Sequence, residues 1–178
     1  GAAVRGVRTP TGAGKASPWY TATPIRAEPE GGQAIRWLID YEGMANQRSR
    51  GQYKVNQSPV AQGVDGALPG QPYKLNVAKA KALLAAAGWT PNADGVLTKD
   101  GRPFAFTILT NQGNDTRQRT AEIIQSRLRA VGILVKIRQV EWAAFLKEFI
   151  EKGRFAALLL VWNTGLDPDQ FDIWRSTK

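Results

Sequence analysis

Apolar residues in this chain recur at two spacings, and the changes from one to the other mark out the elements. From residue 33 the positions Ile35, Leu38, Ile39 and Met44 fall on one helical face, with Trp37 and Tyr41 beside it; Gly43 lies inside that helix or ends it. Over 76–88 the spacing predicts a second helix, with Asn76 as N-cap, Val77, Ala80, Leu83, Leu84 and Ala87 inward, and Gly88 as the stop. Trp89, just past the glycine, is placed to fold back over the helix end. Strand-like runs at 96–98 and 104–110 flank Lys99-Asp100-Gly101, an Asp-Gly signal for a hairpin, and Phe104, Phe106 and Ile108 share one face. A third helix is predicted over 115–131, with Ala121, Ile124, Leu128 and Val131 inward, Arg117, Arg127 and Arg129 outward, and Gly132 ending it. A strand over 133–140 and a helix over 143–152 follow, the helix burying Leu146, Phe149 and Ile150 and stopping at Gly153. The run over 155–161 is continuously apolar, which predicts a strand covered on both faces.

Two stretches lack either spacing. Residues 1–32, rich in Gly, Ala, Thr and Pro, read as an extended or poorly ordered arm with Trp19-Tyr20 its one apolar spot. Residues 46–72, punctuated by glycines and prolines, read as a long irregular loop of the kind that is functional or packs against something. Residues 33–178 then form a single α/β domain.

From 104 onward the order is β-α-β-α-β with short connections, which predicts three parallel strands joined by right-handed crossovers. Their carboxyl ends share one edge of the sheet, where open α/β sheets bind ligands. Three loops meet there: Asn111, Gln112, Gly113 and Asn114; Glu141 and Trp142; and Trp162, Asn163, Thr164 and Gly165. These are the candidate ligand-binding residues. Two indoles, side chains that both donate and accept hydrogen bonds, and one carboxylate suit a polar organic ligand with flat or apolar parts better than a phosphate or a metal.

Composition narrows the classes. The 178 residues, 43% apolar, suffice for one domain with a core. The absence of cysteine excludes disulfides and thiolate metal sites while leaving an extracytoplasmic location open. The absence of histidine removes the commonest general base and metal ligand. A formal charge of +9 raises nucleic acid as a partner, but the 24 Lys and Arg are spread along the chain, as on a solvated basic surface. A small basic nucleic-acid-binding α/β domain is the alternative reading. No apolar run approaches the roughly 20 residues of a membrane span. Gly1 is followed by no signal-like segment, so a mature, trimmed or excised form is expected.

The chemical constellations are sparse. Asp167-Pro168-Asp169 reads as a turn in which Asp caps and Pro fixes φ, rather than a metal or acid–base pair. Glu141, without a partner in sequence, reads as an N-cap or helix-dipole partner for the helix after it rather than a general base. Trp142 and Trp162 are assignable to core or to ligand. Gly12-Ala13-Gly14-Lys15 lacks a preceding buried strand and the full phosphate-loop spacing. A hydrolase using Glu141 or Asp167 is the weakest class, since no nucleophile motif accompanies them. No catalytic residue, metal site or cofactor is assigned.

The segments Ala80-Lys81-Ala82-Leu83-Leu84-Ala85-Ala86-Ala87-Gly88-Trp89, Asp100-Gly101-Arg102-Pro103-Phe104, Leu109-Thr110-Asn111-Gln112-Gly113-Asn114, Val140-Glu141-Trp142 and Trp162 with Asp167-Pro168-Asp169 occur in an order that resembles the second lobe of the family 5 extracytoplasmic solute-binding proteins. These are the dipeptide- and oligopeptide-binding receptors of ABC importers. The resemblance implies one lobe of a type II periplasmic-binding-protein-like fold and a non-enzymatic role. It implies as partners a peptide or other polar small solute, an ABC transporter permease and the missing first lobe, and no nucleic acid. It places the protein in the periplasm or on the outer face of the cytoplasmic membrane. Dipeptide-binding members carry a carboxylate-clamping Arg where this chain has Asn111, and an ammonium-pairing Asp where it has Thr164. Losing two charge-assisted pairs of about 1.5–3 kcal/mol each favours a longer peptide or a neutral polar solute.

Overall fold

A computed structural model describes Ile25, residues 29–49, 73–161, and scattered positions between 52 and 67. The first helical region is two helices rather than one. Helix α1 (Pro29–Leu38) begins before residue 33, inside the stretch read as an arm, because Pro29 presets a helical φ and Glu30 sits favourably in the first turn. Helix α2 (Tyr41–Ser49) restarts after a break at Asp40. Asp40 Oδ1 accepts from Gly43 N at 2.9 Å, capping the new helix, and a Cβ at Gly43 would collide with that carboxylate. Residues 46–49 thus complete α2, while the described positions from 52 to 67 carry neither helix nor strand.

Helix α3 (Val77–Ala86) forms as the sequence requires, with Asn76 Oδ1 accepting from Lys79 N at 2.9 Å. Ala80 and Leu84 are buried against Ala34 and Leu38 of α1, whereas Val77, expected inward, is 40% exposed. The backbone N–H of Trp89 donates to Leu84 O, and its buried ring stacks obliquely on Phe104 at 4.6 Å between centroids. Strands β1 (Thr90–Pro91), β2 (Leu97–Lys99) and β3 (Arg102–Pro103) form a small antiparallel sheet. Asp100 and Gly101 both have positive φ, 51° and 72°, the signature of a type I′ turn. The hairpin partner is only Arg102–Pro103. The chain then leaves that sheet at Phe104, whose N–H donates to Leu97 O while its own carbonyl accepts from Leu134 N in the next sheet.

That second sheet has β4 (Ala105–Asn111) at its centre, with β5 (Leu134–Val140) and β6 (Ala157–Leu158) on either side, all parallel. Helix α4 (Asp115–Arg129) connects β4 to β5. On one face, Phe106, Ile108 and Val135 join Ala121 and Leu128 of α4 and the buried residues of α1 and α3 in a single core. Among the described residues the other face is covered towards its carboxyl end, where Leu109 and Val140 pack on Phe145.

Phe145 belongs to a helical segment that begins as α5 (Trp142–Ala144) and widens into a π-helical turn over Phe145–Ile150. Widening shifts the inward position to Phe145, which is fully buried; Leu146, named from α-helical spacing, is only half-buried, with Phe149 and Ile150 packed beside the cluster. Strand β6 is the second departure. Its ladder is two residues long, 155–160 are half-buried, and Val161 is 62% exposed. Among the described residues β6 lies at the sheet edge, yet its apolar run packs on both faces, Ala157 and Leu159 against the larger core and Leu158 and Leu160 against the smaller one.

Candidate functional site

In the order β5-β4-β6 the chain moves from β4 to one neighbour and then crosses to the other side, so the crevice expected for a ligand lies at the carboxyl ends of β4 and β6. Backbone bonding draws the three exits together. Gln112 N donates to Val140 O at 2.8 Å, joining the loops after β4 and β5. Leu159 N donates to Leu109 O at 2.9 Å, and the buried Thr110 hydroxyl donates to Leu159 O at 3.1 Å, holding the exit of β6 beside β4. Trp162, Asn163, Thr164 and Gly165, together with the Asp167 turn, lie outside the described residues.

The loop after β4 is built for a helix entry. Gly113 takes φ 76°, and Asn114 caps α4 by accepting from Arg117 N at 2.9 Å. Asn111 is half-buried; its Nδ2 donates to Gln112 O at 2.9 Å and its Oδ1 accepts from Arg117 Nη1. Arg117 is a residue at this edge that spacing missed. Helical periodicity turns it away from the core, but at the first turn of α4 its long side chain reaches back along the sheet edge to Asn111. The Nε of Arg117 is buried with no hydrogen-bond partner. The edge thus carries a guanidinium although position 111 itself is neutral.

The loop after β5 has a different character. Glu141 accepts from the backbone N–H of Ala143 at 2.9 Å and of Ala144 at 3.0 Å. Those two bonds, that to Ala143 foremost, hold its carboxyl below the usual glutamate range, as the N-cap of the helix that follows. Trp142 is 46% exposed, with its ring 6.0 Å from that of Phe145, and presents a flat apolar surface on the loop that the Gln112–Val140 bond joins to the exit of β4.

Two surface grooves occur elsewhere. One runs between α2 and α4 past Gln47, Asp115, Arg119 and Glu122; the other lies on the uncovered sheet face by Thr107, Lys136, Phe149 and Phe155. Neither is lined by Asn111, Gln112, Gly113, Asn114, Glu141 or Trp142; Gln112, Gly113, Glu141 and Trp142 are exposed, so the described part of this edge is an open platform. Among the described residues no cluster of three or more His, Cys, Asp or Glu could hold a metal ion, and no helix is long and apolar enough to cross a membrane.

Comparison with known proteins places this architecture. The family model described as the middle region of bacterial extracellular solute-binding proteins, family 5, matches residues 24–178. The chain is 36% identical over 151 residues to the oligopeptide-binding protein AppA of Bacillus subtilis, covering 82% of this chain and 28% of that protein. The solved structure of AppA in complex with a nonapeptide superposes with a TM-score of 0.75 at 34% identity, covering 88% of this chain and 32% of that one. NikA from Brucella suis in complex with Fe(III)-EDTA superposes with a TM-score of 0.73 at 29% identity, covering 83% and 30%. The chain therefore spans less than a third of the length of each of these relatives.

Proposed function

The chain belongs to the family 5 bacterial extracellular solute-binding proteins, and on that premise we propose that it forms one lobe of the substrate-binding component of an ABC importer, capturing peptides outside the cytoplasmic membrane. The observation that carries this reading is the platform at the sheet switch point, where Gln112, Gly113, Glu141 and Trp142 are exposed among the described residues and the bond from Gln112 N to Val140 O joins the loops after β4 and β5. An open half-site of this kind calls for a second lobe to bury the ligand from the other side. The platform offers flat apolar surface for side chains and amide groups for a peptide backbone. Among the described residues, 111–114 and 141–142 line this half of the site, and a permease receives the loaded receptor. Within this assignment Glu141 acts as a cap that shapes its loop rather than as a ligand group. The protein performs no catalysis.

The oligopeptide-binding relative favours peptide as the cargo over a metal chelate, the ligand named for NikA. Nothing in the family membership supports the nucleic-acid alternative. Calorimetric titration tests the proposal. A two-lobed protein carrying this segment is expected to bind oligopeptides saturably and to lose most affinity on Trp142→Ala, whereas the isolated 178-residue chain binds only weakly. Failure of the two-lobed protein to bind any peptide, or micromolar binding by the isolated chain, would overturn it.

A further inference from the structure

The Asn111 amide has a defined polarity, and Arg117 sets it. A guanidinium only donates hydrogen bonds, so the Asn111 atom facing it is Oδ1. The reversed amide would set an NH2 group against a cation, donor against donor. In the observed orientation one Nδ2 hydrogen goes to Gln112 O, and the other is left at the half-buried edge of the platform. Two further features act in the same direction. The α4 amino terminus, the positive end of its dipole, rises from this loop, and the guanidinium itself brings positive charge. The one acidic side chain of that turn, Asp115, is exposed.

We infer that Arg117 is a positioning residue that holds the Asn111 amide as a donor towards the ligand, so that the ligand group lying over the carboxyl end of β4 is a hydrogen-bond acceptor, a peptide carbonyl or a terminal carboxylate, and not an ammonium. This rests on the peptide-binding reading of the same platform and specifies the chemistry of one of its subsites. The buried, unpartnered Nε of Arg117 fits a side chain held in place for what its terminal nitrogens orient.

Nuclear magnetic resonance on the full 178-residue chain tests it at millimolar peptide, where weak binding is visible. Without ligand, Arg117→Gln is expected to move the Asn111 side-chain NH2 resonances and speed their exchange, while the backbone spectrum of the sheet stays in place. With trialanine, the wild-type Asn111 side-chain signals shift, and Arg117→Gln weakens binding by about tenfold. Asn111→Asp, which keeps an acceptor for Arg117 but removes the donor, is expected to abolish the effect of trialanine at this loop. N-acetylated trialanine binds like trialanine. Trialanine amide separates the two acceptors: weakened binding identifies the terminal carboxylate, and unchanged binding identifies an internal carbonyl. Asn111 signals indifferent to Arg117→Gln, or trialanine binding unaffected by both variants, would overturn the inference alone. Absence of any peptide-induced shift in residues 111–114 and Trp142 would sink the peptide reading together with it.

Discussion

Gly132 ends α4 and lies against the loop before β2, which makes Gly132→Ala a two-part perturbation whose parts can be separated. Its φ of 85° lies in the left-handed region, which costs a residue with a Cβ about 1–2 kcal/mol. In addition, a Cβ there would lie 2.4 Å from Gly95 O and 3.0 Å from Leu97 N, so the backbone of that loop has to move. The movement strains the hydrogen bond from Leu97 N to Gly132 O, 2.9 Å long, beside the buried Leu97; an unsatisfied buried amide costs about 1–3 kcal/mol. The sum is about 2–5 kcal/mol, a large share of a typical stability of about 5–15 kcal/mol. Gly101→Ala is the control. Its φ is 72°, but nothing lies within 4 Å of the new methyl group, so only the conformational part applies. Urea unfolding of both variants, with ΔG by linear extrapolation, is expected to show Gly132→Ala losing clearly more than Gly101→Ala. Equal losses, within about 0.5 kcal/mol, would refute the claim that close approach matters at this glycine.

Two further outcomes are expected. Phe145→Ala, at a fully buried anchor of the smaller core, should cost about 3–5 kcal/mol in urea unfolding, and Leu146→Ala less than half of that; similar losses would contradict the π-helical register. For Glu141, whose folded pKa lies below the usual value, the stabilisation from its cap is full above about the ordinary glutamate value of 4.5 and is lost as pH falls through the depressed one. The stability difference between wild type and Glu141→Gln is therefore expected to shrink as unfolding curves are taken from neutral into acidic solution. A pH-independent difference would remove the carboxylate from the capping role.

Much of the architecture was legible because its signals are local. Asn76 and Gly88 bracket α3, Asn114 starts α4, Asp100-Gly101 makes the type I′ turn, and the alternation of apolar residues in β5 faces Val135 to the core and Lys136 to solvent, each through bonds or periodicity within a few residues. The parallel order of β4, β5 and β6 likewise follows from short helical crossovers, and with it the meeting of the loops after β4 and β5 at one edge. Tertiary packing decided the rest. Asp40 splits the first helical pattern because its carboxylate both caps α2 and pairs with Arg127 of α4 at 3.0 Å, a partner 87 positions away. Phe145, not Leu146, is the buried anchor because the π-helical turn changes which side chain points inward. The apolar run after Arg154 pairs with β4 over only two residues because ladder length depends on the neighbouring strand, which hydrophobicity does not encode. Arg117 reaches Asn111 because a long side chain at a helix start can lie along a sheet edge, so the charge at the platform came from a residue that periodicity alone turns to solvent.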